Sequence, residues 1–131
     1  MQASAELRDF LHEFYTMTSN QSFALWKQHL SQQEGVLMVG TDPNDWWEGH
    51  ATILKTIQPQ LESLAGSSCE GDLKAYVEGT VGWFADDLKW NLPNGAILPA
   101  RLTGVCHKED GEWKIVQWHL SVGVPDEQLF A

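Results

Sequence analysis

Apolar residues recur at helical spacing over the first third of the chain and at strand spacing over its second half. Leu7, Phe10, Leu11, Phe14 and Met17 fall three and four apart, which is one face of a helix. Ser4 stands where an N-cap belongs, so helix one is predicted over about Ala5–Thr18. TSNQS interrupts the pattern, and Asn20 or Ser22 caps a short second helix carrying Phe23, Trp26 and Leu30. Val36–Val39 reads as a short apolar strand and TDPND after it as a turn. In DWWEGH, Gly49 marks a sharp start to helix three, whose stripe is Leu54, Ile57, Leu61 and Leu64. Pro59 should kink that helix and Gly66 should stop it.

From Ser67 onward the period changes to two. The predicted strands are Glu70–Glu78, Val81–Asn91, Ala96–Lys108 and Glu112–Ser121, joined at Gly79-Thr80, Leu92-Pro93-Asn94-Gly95 and Glu109-Asp110-Gly111. Helix, helix, strand, helix and then four antiparallel strands make a single α+β domain over residues 1–131. The helices should gather on one sheet face, and the tail VPDEQLFA should be extended or frayed.

The last strand breaks its own rule. Along WKIVQWHLS one face is Lys114, Val116, Trp118 and Leu120, and the other is Trp113, Ile115, Gln117, His119 and Ser121. The second face starts apolar and turns polar halfway along. The strand therefore reads as buried on both sides, with a histidine on a largely dry face.

Composition narrows the partners. The 131 residues are 43% hydrophobic and 20% charged, as expected for one globular domain with a core of its own. The net charge of −10 excludes nucleic acid and anionic membranes as partners. That acidity serves solubility and does not by itself argue for a cationic ligand. No apolar run reaches membrane-span length, and MQASAELRDF lacks the basic-then-apolar order of a signal peptide, so a cytoplasmic protein is expected. Cys69 and Cys106 show no CxxC spacing and read as reduced packing residues. No metal or cofactor is expected, because HxxxH, HxH, P-loop, GxGxxG and GxSxG patterns are all missing.

The order of elements, with WWEG before helix three and DGEWKIVQWHLS at the end, resembles the nuclear transport factor 2-like superfamily. Within it the likeness is to the SnoaL-like and ketosteroid-isomerase-like branch. The resemblance covers nearly the whole chain and implies a cone: a curved antiparallel sheet with three N-terminal helices on its concave side and an apolar pocket between. Many members are implied to dimerise by the outer sheet face. One face of the last strand would then line the pocket, and the face of Trp118 would meet a second copy.

The resemblance also proposes chemistry, which the residues answer unevenly. Ketosteroid isomerases are implied to need a base on the first strand and a tyrosine paired with a second acid. Tyr15 can supply the hydroxyl, but the base position falls near Val39-Gly40, Asp42 lies further on, and Ala100–Thr103 holds no acid. The isomerase set is therefore not intact. SnoaL-type cyclases are implied to use an acid and a histidine, which points to His119 as acid or base. Asp86, on the apolar face of Phe84, Leu88 and Trp90, is its counterpart. Arg101 needs an acceptor, either a ligand carboxylate or Asp86. Tyr15, Trp47, Trp90, Gln117 and Thr103 complete the expected substrate-binding set. Each has a plain alternative: a core histidine, a structural ion pair, or tryptophans that only pack. Two functions stand. One is a cofactor-independent isomerase, cyclase or dehydratase acting on a small, largely apolar molecule. The other is a non-catalytic ligand-binding or dimeric adaptor protein.

Overall fold

Ser4 does cap the first helix: its hydroxyl accepts from the Leu7 N–H at 3.1 Å. The computed structural model describes residues 1–131. After a two-residue strand β1 (Gln2–Ala3), helix α1 runs over Ala5–His12 and tightens into a 3₁₀ turn at Glu13–Tyr15. It does not continue to Thr18. Thr16 bridges to Ser68, and the Met17 N–H donates to Ser67 O at 2.9 Å, so these backbone groups are committed to the sheet. Leu7 and Leu11 on the inner face are fully buried.

Helix α2 (Ser19–His29) buries Trp26 and ends at Leu30, which bridges to Ile115. Strand β2 (Leu37–Val39) is followed by β3 (Trp46–Glu48), a short strand that the turn-rich sequence around it had concealed. Gly49, at φ 94°, then starts α3 (His50–Ser63). That helix presents Ile53, Ile57 and Leu61 to the core, with Pro59 inside it. The strand expected over Glu70–Glu78 is two strands, β4 (Ser68–Glu70) and β5 (Lys74–Glu78), interrupted at Gly71–Leu73. Both pair with β6 (Val81–Asn91), which continues antiparallel into β7 (Ile97–Glu109) and β8 (Glu112–Ser121). The tail forms a short exposed helix α4 (Asp126–Leu129).

The eight strands make one curved, unclosed sheet in the order β1-β5-β6-β7-β8-β2-β3, with β4 beside the far end of β6. Strand β2 lies parallel to β8, and the other pairings are antiparallel. The helices cover its concave face. On β6 and β7, Phe84, Asp86, Leu88, Trp90, Ala100, Leu102 and Cys106 point into that side and are buried.

Strand β8 resolves its own irregularity. Val105 pairs with Gln117, but Cys106 pairs with Ile115, so Val116 is an extra residue opposite no partner. Such a bulge shifts the alternation by one. Trp113 and Ile115 point inward before it, and Trp118 and Leu120 point inward after it. Gln117, His119 and Ser121 are thereby turned to the outer face. The strand is not buried on both sides; its phase changes partway along. The face of Trp118 is accordingly the inner one, not a partner face.

Candidate functional site

Where the end of α1, α2 and α3 meet the wide end of the sheet, the helices leave a cavity of about 120 Å³. Of the 22 residues around it, 17 are hydrophobic. Its aromatic wall is Phe14, Tyr15, Trp26, Trp47, Trp90 and Trp118. Trp118 is held by edge-on packing against Trp26, with ring centroids 4.9 Å apart, and by contacts to Phe14 and Phe84. The ring of Trp90 lines the cavity, yet its buried indole N–H has no hydrogen-bond partner. A buried donor without a partner is costly.

One polar pair abuts this wall. The 3₁₀ turn swings Tyr15 inward, and its hydroxyl donates to Asp86 Oδ2 at 2.5 Å. The Asp72 N–H donates to Asp86 Oδ1 at 3.0 Å. Gly71 passes so close that a side chain there would collide with the Asp86 carboxylate, which explains the break between β4 and β5. Asp86 is only 7% exposed and has no ion-pair partner. Burial first, and then the bond to Asp86 and its charge, hold the Tyr15 phenol well above its ordinary value. The same two causes, burial and then the Asp86 charge, push the Cys69 thiol up to about 12. Tyr15 is therefore a neutral phenol whose proton is committed to Asp86. Its oxygen keeps a lone pair for another donor.

A second carboxylate reaches the cavity from the β2–β3 hairpin. A Cβ on Gly40 would lie 2.6 Å from Asp45 Oδ2, so Asp45 occupies the space that Gly40 leaves open. Asp45 Oδ2 accepts from the Asp42 N–H at 3.1 Å. Along the sequence no acid stands at Val39-Gly40, and nothing in the spacing of Asp45 marks it as a cavity residue. The missing signal was the pairing of Val39 with Trp46, which folds Asp45 back over Gly40.

The expected site residues separate into two groups. Tyr15, Trp47 and Trp90 line the cavity, and Asp86 stands behind Tyr15. Arg101, Thr103, Gln117 and His119 emerge on the outer face instead. Arg101 lies opposite Asp87 in the β6–β7 register, both exposed, so the expected pairing with Asp86 is not formed. His119 pairs with Thr103 and is exposed. The cause for both is strand alternation, set on β8 by the Val116 bulge. His50, which could have looked inward, places Nδ1 3.1 Å from Ser31 O.

Comparison with known proteins agrees with this architecture. A family model of the SnoaL-like domain matches residues 7–125. A search of curated proteins gives no match. Among solved structures, a nuclear transport factor 2-like protein of unknown function from Pseudomonas putida KT2440 superposes with a TM-score of 0.77 at 10% identity, covering 97% of this chain and 91% of that one. A candidate dehydratase of the same superfamily from Streptomyces avermitilis gives 0.77 at 13% identity, covering 92% and 95%. A candidate ketosteroid isomerase from Parabacteroides distasonis gives 0.74 at 15% identity, covering 91% and 86%. At these identities the likeness is one of fold.

Proposed function

This chain belongs to the SnoaL-like domain family, and from its own residues we propose that it binds a small, largely apolar molecule in the cone cavity. The observation that carries this reading is an aromatic-walled cavity with the Tyr15 hydroxyl, anchored by Asp86, on its wall. The apolar body of the ligand would pack on the tryptophans. The test is a thermal-shift screen of small aromatic and alicyclic alcohols, ketones and amines. A ligand raises the melting temperature by mass action, and Trp47→Ala and Trp90→Phe should weaken that shift. Hits indifferent to both substitutions would place binding elsewhere.

A second reading, cofactor-independent acid–base catalysis of the isomerase, cyclase or dehydratase kind, is favoured by the 2.5 Å contact between Tyr15 and Asp86. The pair is a proton path: Tyr15 Oη takes a proton from the ligand as its own proton passes to Asp86 Oδ2. Hits incubated in D₂O and followed by NMR should show deuterium incorporation or loss of water, and Asp86→Asn should abolish it. Unchanged turnover in that variant would refute the path.

The outer sheet face is proposed to join two copies of the chain. Tyr76, Val81 and Ile97 are exposed there at 41%, 42% and 62%, beside Trp83 stacked on Tyr76. Arg101, Thr103, Gln117 and His119 emerge on the same face. Light scattering at micromolar concentration should give twice the chain mass, and a monomer would overturn this.

A further inference from the structure

The one charged side chain around the cavity is a carboxylate, Asp45. The Tyr15 hydroxyl donates its hydrogen bond to Asp86, so toward a ligand it offers only oxygen lone pairs. Asp45, on the wall, receives one hydrogen bond from the protein, from the Asp42 N–H to Oδ2. No lysine, arginine or histidine is among the residues around the cavity, and neither Asp45 nor Asp86 has an ion-pair partner. Arg101, the cation expected to receive a ligand carboxylate, stands on the opposite face. Aromatic faces such as those of Trp26, Trp47 and Trp118 attract cations. A carboxylate ligand would meet Asp45 on the wall and Asp86 behind Tyr15, neither offset by an ion-pair partner. The chain's net charge of −10 adds a field of the same sign.

We infer that the ligand is a cation: a small aromatic or alicyclic amine, bound as its ammonium with N–H donors directed to Asp45 and the Tyr15 oxygen. This rests on the cavity being the ligand site and names the class of molecule that the site selects. Asp45 is the residue that sets the selection, because it is the charged group on the wall itself.

The test uses three probes of one skeleton, 2-phenylethylamine, 2-phenylethanol and 3-phenylpropionate, titrated by calorimetry at pH 7 in about 20 mM salt, where charge effects are least screened. The amine should bind about tenfold more tightly than the alcohol, and the carboxylate more weakly than either. Asp45→Asn keeps an oxygen for the Asp42 N–H, and its melting temperature serves as the check on folding. In that variant the amine should fall to within about twofold of the alcohol. An alcohol that binds as well as the amine, a carboxylate that binds best, or an amine preference that survives Asp45→Asn would each overturn the inference while leaving the cavity as a ligand site. Failure of all three probes to bind up to about 10 mM would overturn the cavity reading beneath it.

Discussion

Replacing Tyr15 with Phe removes one hydroxyl and leaves a buried carboxylate with a single hydrogen bond. Asp86 is 7% exposed and is held only by Tyr15 Oη at 2.5 Å and the Asp72 N–H at 3.0 Å. No cation is within ion-pair distance to take over. A hydrogen bond to a charged group contributes roughly 1.5–3 kcal/mol, and the desolvated partner left behind adds to the loss. The Phe ring keeps the packing of Tyr15, so a cavity contribution is small. Tyr15→Phe should therefore cost ~2–3 kcal/mol, and lower the melting temperature by about 5–10 °C for a domain of this size. Because Asp86→Ala also removes packing, the bond itself is measured by the double-mutant cycle. Urea unfolding at pH 7 of the wild type, Tyr15→Phe, Asp86→Ala and the double variant should give a coupling of about 1.5–3 kcal/mol with unchanged m. A coupling below about 0.5 kcal/mol, the level of independent sites, would refute the claim that this bond organises the cavity wall.

Deleting Val116 removes the bulge and reverses the facing of one half of β8; with Trp118 and Leu120 turned outward the loss is roughly 4–6 kcal/mol, and circular dichroism should show an unfolded or insoluble chain. A folded, equally stable deletion variant would disprove the phase change. Stability should also fall on the alkaline side. The Cys69 thiol, pushed up to about 12 by burial and by Asp86, and the Cys106 thiol, pushed up to about 12 by burial, stay protonated in the fold. The unfolded chain loses both protons near 9, so stability is full below that pH and declines above it, with a slope of at most about 1.4 kcal/mol per pH unit per thiol. The double variant Cys69→Ala/Cys106→Ala should be less stable at pH 7, yet its stability should change less between pH 8.5 and 10.5; an equal slope would remove the thiols as the cause. His119→Ala and Arg101→Ala should each leave the Kd for 2-phenylethylamine within about twofold, since both side chains are across the sheet from the cavity. A large loss with either would return that residue to the site.

The sequence by itself determined the class of fold and much of one wall of the cavity. Helical spacing around Leu7 and Leu11, strand spacing from Ser67 onward and the hairpin turns were enough for an α+β chain with helices on one sheet face, because burial periodicity is a local property. The same periodicity placed Asp86 with Phe84, Leu88 and Trp90, and that face is the one turned to the helices. Tertiary structure alone decided which polar side chains share the cavity. A one-residue bulge at Val116 carries no composition of its own, yet it sends Trp118 inward and His119 outward. The register between β6 and β7 sets Arg101 opposite Asp87 rather than Asp86. The β2–β3 hairpin brings Asp45 over Gly40. Each of these is a pairing between segments. Hydrophobic spacing says which residues of a segment lie on one side, but pairing and register between segments say which sides meet.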